Sequence, residues 1–141
     1  MFELKVVRER RPGYGSARRV ATSREVYDAF RERFAPLDRE EFLVVPLGGK
    51  NQILGFHVVS VGTLTASLVH PREVYKIALL ANAAAVIVVH NHPSGDPTPS
   101  AEDVAITRRL REAGELLGVS LLDHVVIGDE RYISFADDGI L

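Results

Sequence analysis

The sequence predicts a single domain of mixed α/β class, with helices packed on a central sheet. Three observations predict it. Apolar residues recur at helical spacing in two stretches, one after Thr22 and one after Ser100. Two short apolar runs, residues 42–47 and 85–89, have the length and β-branched content of strands. The chain has 141 residues, 46% hydrophobic and 26% charged, which suits one globular domain that buries a core without staples.

Residues 1–21 read as an N-terminal arm or edge strand, because Arg10-Arg11-Pro12-Gly13 and Gly15-Ser16 are turn-rich. The domain proper then spans 22–141. Thr22 opens the string Thr-Ser-Arg-Glu, a capping-box pattern. Val26, Ala29, Phe30 and Phe34 follow at helical spacing, which predicts a helix over Ser23–Phe34. Residues 42–47 and 53–60 predict two strands of a hairpin around Gly48-Gly49-Lys50-Asn51. A third short strand is expected over 63–69. Pro71 suits the first turn of a second helix, with Val74, Ile77, Ala78 and Ala81 on one face. Residues 85–89 predict a central, buried strand. It runs directly into the proline-rich loop His90-Asn91-His92-Pro93-Ser94-Gly95-Asp96-Pro97-Thr98-Pro99. A third helix is expected over 100–117, stopped by Gly118. Residues 125–127 and 132–135 predict a last strand pair around Gly128-Asp129.

Composition narrows the chemistry. The chain has no cysteine, so disulfides and thiolate ligands are excluded, and any metal site must use His, Asp and Glu. The opening ten residues are charged, unlike a signal peptide, and no apolar run approaches the roughly 20 residues of a membrane span. A cytoplasmic protein with no membrane contact is expected. Net charge is −2, with no global pull toward nucleic acid. The charge is uneven: residues 1–35 carry 9 Lys/Arg against 5 Asp/Glu. Those arginines read either as a solvated arm or as an anion or nucleic-acid contact.

The chemistry-bearing residues cluster around the third helix. His90 and His92 leave a strand two residues apart, so both imidazoles point to one face. Two neutral imidazoles converging on one point suit a zinc ion. Asp103, Ile106, Leu110, Ala113 and Leu117 share a helical stripe, which aims Asp103 at the core. A buried carboxylate needs a partner, and a metal ion supplies one. The alternative is an Asp that only caps its own helix. Ser100 has two readings as well, helix N-cap or hydrogen-bond donor to a reaction oxyanion. Three protein ligands leave a fourth position for water, whose pKa zinc lowers. A general base must then move a proton, and Glu40 or Glu41 is the candidate. They sit on opposite faces of the first strand's entrance, so at most one points at the metal. His70 is placed to cap the second helix. His124 reads as a hydrogen-bonded structural histidine before a strand. His57 reads as a half-buried strand residue.

His90-x-His92, seven residues, Ser100, two residues and Asp103 resemble the JAMM (MPN+) zinc metallopeptidase motif. The longer string HNHPSGDPTPS, with VHPRE before it and LLDHVVIGD after it, resembles the RadC branch of that family. The likeness covers residues 22–141. It implies a single three-layer α/β/α domain with a mixed, cytidine-deaminase-like sheet. It implies one zinc ion bound by His90, His92 and Asp103, with Ser100 and an upstream Glu as catalytic residues. The RadC pattern puts that Glu at Glu40; other JAMM relatives place it directly before the hydrophobic run, at Glu41. RadC proteins carry a helix-hairpin-helix region upstream, and only about 21 residues precede the first helix here. The expectation is that the chain lacks that region, which weakens an inherited link to DNA. No long insertion for gripping ubiquitin stands out.

Three function classes follow. The first is a zinc-dependent metallopeptidase or isopeptidase, acting on a peptide or isopeptide whose identity the sequence does not reveal. The second is a non-catalytic or DNA-associated module in DNA repair. The third is a metal-dependent nuclease, for which one ion and one carboxylate are a poor phosphodiester clamp. His90-Asn91-His92 spells HNH, but the nuclease motif of that name spreads over a ββα unit. A deaminase needs a Pro-Cys-x-x-Cys element, which a chain without cysteine lacks. Oligomeric state is not written in the sequence.

Overall fold

The structure, a computed structural model, describes residues 1–5, 18–63 and 69–141. Its elements in chain order are α1 (Ser23–Phe34), β1 (Glu41–Leu47), β2 (His57–Val61), α2 (Pro71–Leu80), β3 (Ala85–Asn91), α3 (Ala101–Leu117), β4 (Ser120–Ile127) and β5 (Tyr132–Ser134). The turn-rich stretch from Arg10 to Ser16 and most of the strand expected over 63–69 lie outside the described residues.

The strands form one sheet in the order β2-β1-β3-β4-β5. Only β3 and β4 run parallel, joined by the crossover helix α3; the other neighbours are antiparallel. The sheet is therefore mixed, and the class is α/β as expected. Alternation along the strands sorts the core into two layers. Leu43, Val45 and Leu47, with Ile87 and Val89, pack against Val26, Tyr27, Phe30 and Phe34 of α1. Phe42 and Val44, with Val86 and Val88, pack against α2 and α3. Helices thus cover both faces, which explains why β1 and β3 are buried almost throughout.

Several elements differ from the sequence reading for physical reasons. The second hairpin strand is shorter than 53–60. Ile53 makes only an isolated bridge to Leu47, and continuous pairing resumes at His57. Pro46 has no N–H for the ladder, and one extra residue on the partner side absorbs the break. His57 is exposed, not half-buried. In the last strand pair, β4 starts at Ser120, well before residue 125, because it lies parallel to β3 along that strand's whole length. On α3 the buried stripe runs through Asp103, Ile106, Thr107, Leu110 and Gly114, while Leu117 is 46% exposed. At 100° per residue Leu117 keeps the angular position of that stripe, but it is the last residue of α3 and lies beyond the layer that covers the others.

The helix ends follow their capping chemistry. Thr22, His70 and Ser100 each accept a backbone N–H of the first turn. Gly118 closes α3 in the left-handed conformation, φ 73°, which favours glycine. Among the described residues, no helix is long and apolar enough to cross a membrane.

Candidate metal centre

β3 stays in the sheet as far as Asn91, two residues beyond the strand expected from sequence. Alternation then turns His90 toward α3, Asn91 toward α1 and His92 again toward α3. The His92 N–H donates to Ile127 O at 2.9 Å, so pairing with β4 holds the chain in register at the second histidine. The following loop is tied down: the Asp129 N–H donates to Gly95 O at 2.8 Å, and the Asp96 carboxylate accepts from Thr98 N–H and hydroxyl. A Cβ on Gly128 would collide with Gly95 O, so only glycine lets the β4–β5 turn lie this close.

The structure brings all five sequence candidates to this end of the sheet. His90 Nε2 lies 3.0 Å from His92 Nε2 and 3.2 Å from Asp103 Oδ1. His92 Nε2 lies 3.1 Å from Asp103 Oδ2. Glu40, His90 and His92 form a candidate metal-binding group, with one ligand atom of each within 4.8 Å of the others. Ser100 Oγ accepts the Asp103 N–H at 3.0 Å, and the Ser100 N–H donates to Asp103 Oδ2 at 2.8 Å, a complete capping box. Capping therefore does not remove Asp103 from the histidines: Oδ2 serves the cap and faces His92, while Oδ1 faces His90. Glu41 points elsewhere, its Oε1 accepting from Arg33 Nη2 at 2.9 Å.

Proton accounting shows what this donor set fits. Thr107 Oγ1 donates to Asp103 O at 2.6 Å, so it can only accept from His124 Nδ1, 2.5 Å away. His124 is wholly buried, and that burial holds its pKa well below the ordinary value, with His90 adding to the effect. Neutral His124 then presents its bare Nε2 to His90 Nδ1 at 2.7 Å, and His90 must donate. The remaining nitrogen of His90, Nε2, is the one left to bind an ion, and it points at Asp103. On His92, Nδ1 donates to Asp96 O at 2.9 Å, which leaves Nε2 aimed at the same point. Two imidazole lone pairs and a carboxylate facing one space suit a cation. Their 3.0–3.2 Å separations approach the roughly 3.3 Å edge of a tetrahedron with bonds of about 2.0 Å, as zinc makes.

Electrostatics agree. Burial alone would raise the pKa of Asp103; the His90 and His92 imidazoles and the Ser100 N–H outweigh it and hold the carboxyl well below the usual range. The Asp103 carboxylate raises the pKa of His92, against the opposing effect of burial. Proton and cation thus compete for one position. A cavity of about 470 Å³ lies behind the His92–Gly95 loop, on the α1 side. Of the five candidates, His92 is the one that lines it.

Sequence reasoning missed two residues that shape this site and misplaced a third. His124 was read as a hydrogen-bonded structural histidine before a strand; it is hydrogen-bonded, but it lies inside β4 and its partners are His90 and Thr107. Thr107 was not singled out, although it falls one turn after Asp103 on the buried stripe. Asn91 was passed over as the residue between two histidines. Its side chain makes two hydrogen bonds to the start of β1.

Comparison with known proteins places this chain among relatives. A family model described as a RadC-like JAB domain matches residues 20–140. A UPF0758 protein of Pelobacter propionicus is 54% identical over 123 residues, covering 87% of this chain and 54% of that protein. A UPF0758 protein of Methanosarcina acetivorans is 51% identical over 124 residues, covering 88% and 54%. One from Desulfitobacterium hafniense is 57% identical over 110 residues, covering 78% and 48%. The chain thus spans about half the length of the curated relatives it matches.

Proposed function

The chain belongs to the RadC-like JAB domain family, and from that premise we propose that it is a zinc-dependent hydrolase of peptide or isopeptide bonds. One observation carries the reading: two imidazole lone pairs and the Asp103 carboxylate, all held by hydrogen bonds, converge beside a second carboxylate, that of Glu40. His90, His92 and Asp103 would hold the ion, and three protein donors leave a fourth position open, the pattern of a catalytic site. The ion supplies Lewis acidity that brings the ionisation of water into the neutral range.

The chain's own groups then have separate roles. Glu40, on the same side as both histidines, accepts the proton of the attacking water and delivers it to the leaving amine. Glu41, bound to Arg33, is not placed for this. The Ser100 Oγ uses a lone pair for the Asp103 N–H, so its proton is free to stabilise an oxyanion. Ser100 is exposed, as a group that meets substrate must be.

Metal analysis of protein purified without a histidine tag tests the reading. The expected result is one zinc per chain, with affinity lost in His92→Ala. Glu40→Gln is expected to retain zinc and lose hydrolysis of a peptide or isopeptide library. Metal-free protein whose zinc affinity is unchanged by His92→Ala would overturn the proposal.

A further inference from the structure

Asn91 is only 3% exposed, and both its amide oxygen and its amide nitrogen bond the chain around Glu40. Its Oδ1 accepts the Glu41 N–H at 2.8 Å, and its Nδ2 donates to Arg39 O at 3.0 Å. The amide orientation follows from these partners, since the flipped form would set N–H against N–H and carbonyl against carbonyl. On the opposite side of β1, the Gly62 N–H donates to Glu40 O at 2.7 Å. The regular β1–β3 ladder ends at Phe42↔His90, so Asn91 extends it with a side chain, one residue past its last rung.

The consequence is geometric. The peptide plane before the Glu40 Cα carries the Arg39 carbonyl. The plane after it carries the Glu40 carbonyl and the Glu41 N–H. Asn91 grips the first plane and, with Gly62, the second. Fixing both planes fixes φ and ψ of residue 40, and with them the direction of its Cβ. Asn91 is itself fixed in β3 between His90 and His92. One strand therefore sets both histidines and, through the amide between them, the direction in which the Glu40 side chain leaves the backbone.

We infer that Asn91 is the positioning residue for Glu40, locking the general base to the same strand that presents His90 and His92. The inference rests on the hydrolase reading above. It assigns Asn91 no contact with substrate or ion; Asn91 acts through the backbone of residues 39–41.

Cobalt(II) replaces zinc as the probe, and the visible absorption of the loaded protein is followed against pH in wild type, Glu40→Gln, Asn91→Ala and the double variant. Cobalt should bind all four with similar affinity, because Asn91 ligates nothing. Glu40→Gln should move the midpoint of the profile by about one pH unit, a tenfold change in the ionisation constant. Asn91→Ala should move it the same way, and the double variant should add nothing further. A role in folding alone would lower thermal stability without reproducing the Glu40→Gln profile. If Asn91→Ala does not hold the fold, Asn91→Ser makes the same comparison, since its hydroxyl cannot span both partners. A wild-type midpoint in the Asn91 variants, with Glu40→Gln shifted, overturns this inference and leaves the hydrolase reading intact. Absence of cobalt binding in wild type overturns both.

Discussion

Thr107 makes no contact with the candidate ion, yet it sets the proton order of the site. Its hydroxyl gives its proton to Asp103 O, which obliges His124 and then His90 to donate in turn. Thr107→Val keeps the shape and removes that constraint. Zinc affinity should fall by up to about 10-fold, the low end of the cost of losing a direct partner of a metal ligand, because Thr107 acts through His124. Competition with a chromophoric chelator measures it, and unchanged affinity would show that His90 does not need this partner. The two neighbouring glutamates separate just as sharply. Glu41 bonds Arg33, with side-chain exposures of 13% and 34%. Glu41→Gln should therefore cost about 1 kcal/mol or less in denaturant unfolding and leave hydrolysis intact. Activity lost in Glu41→Gln and kept in Glu40→Gln would reverse the assignment of the base.

Between elements, α2 and α3 share a buried hydrogen bond. The Tyr75 hydroxyl donates to Leu110 O at 2.6 Å, close against Gly114, where a side chain would collide with it. Burial raises the Tyr75 pKa to about 12. Its folded value lies above the ordinary value near 10, so the neutral form is favoured in the fold. That stability is complete below about pH 10 and is lost as pH rises through 12, up to about 2–3 kcal/mol. Unfolding free energies between pH 9 and 12 should show this loss, and Tyr75→Phe should remove that part of the alkaline slope. An identical slope in both proteins would mean that another group titrates. Within β4, Asp123 accepts from the His124 N–H, the Ala136 N–H and the Ser134 hydroxyl. It anchors β4, the strand that carries His124, to Ser134 of β5 and to Ala136 just after it.

Across the whole molecule, the candidate site joins side chains of β3 and α3 beside the entrance to β1, with β4 behind them. A ligand that binds only the folded state stabilises it by mass action, about 2.7 kcal/mol at 100 times its dissociation constant. For a domain of this length that corresponds to roughly 10 °C in Tm. Adding a chelator to zinc-loaded protein should lower Tm by about that amount, and His92→Ala should abolish the difference. An equal drop in His92→Ala would place the stabilising metal elsewhere. The sequence by itself determined what is local. The start and end of α1 and α3, their caps, the strand character of 42–47 and the spacing of His90, His92, Ser100 and Asp103 all follow from side chains within a few residues of one another. Tertiary structure decided what depends on partners far along the chain. The extra residue in β4 opposite Val86 and Ile87 turns His124 to the α3 side, where it meets His90. The pairing of β1 with β3 lets Asn91 reach the backbone beside Glu40, and Arg33 on α1 engages Glu41. A two-residue period shows that a side chain alternates, but only the register between strands fixes which neighbour it meets.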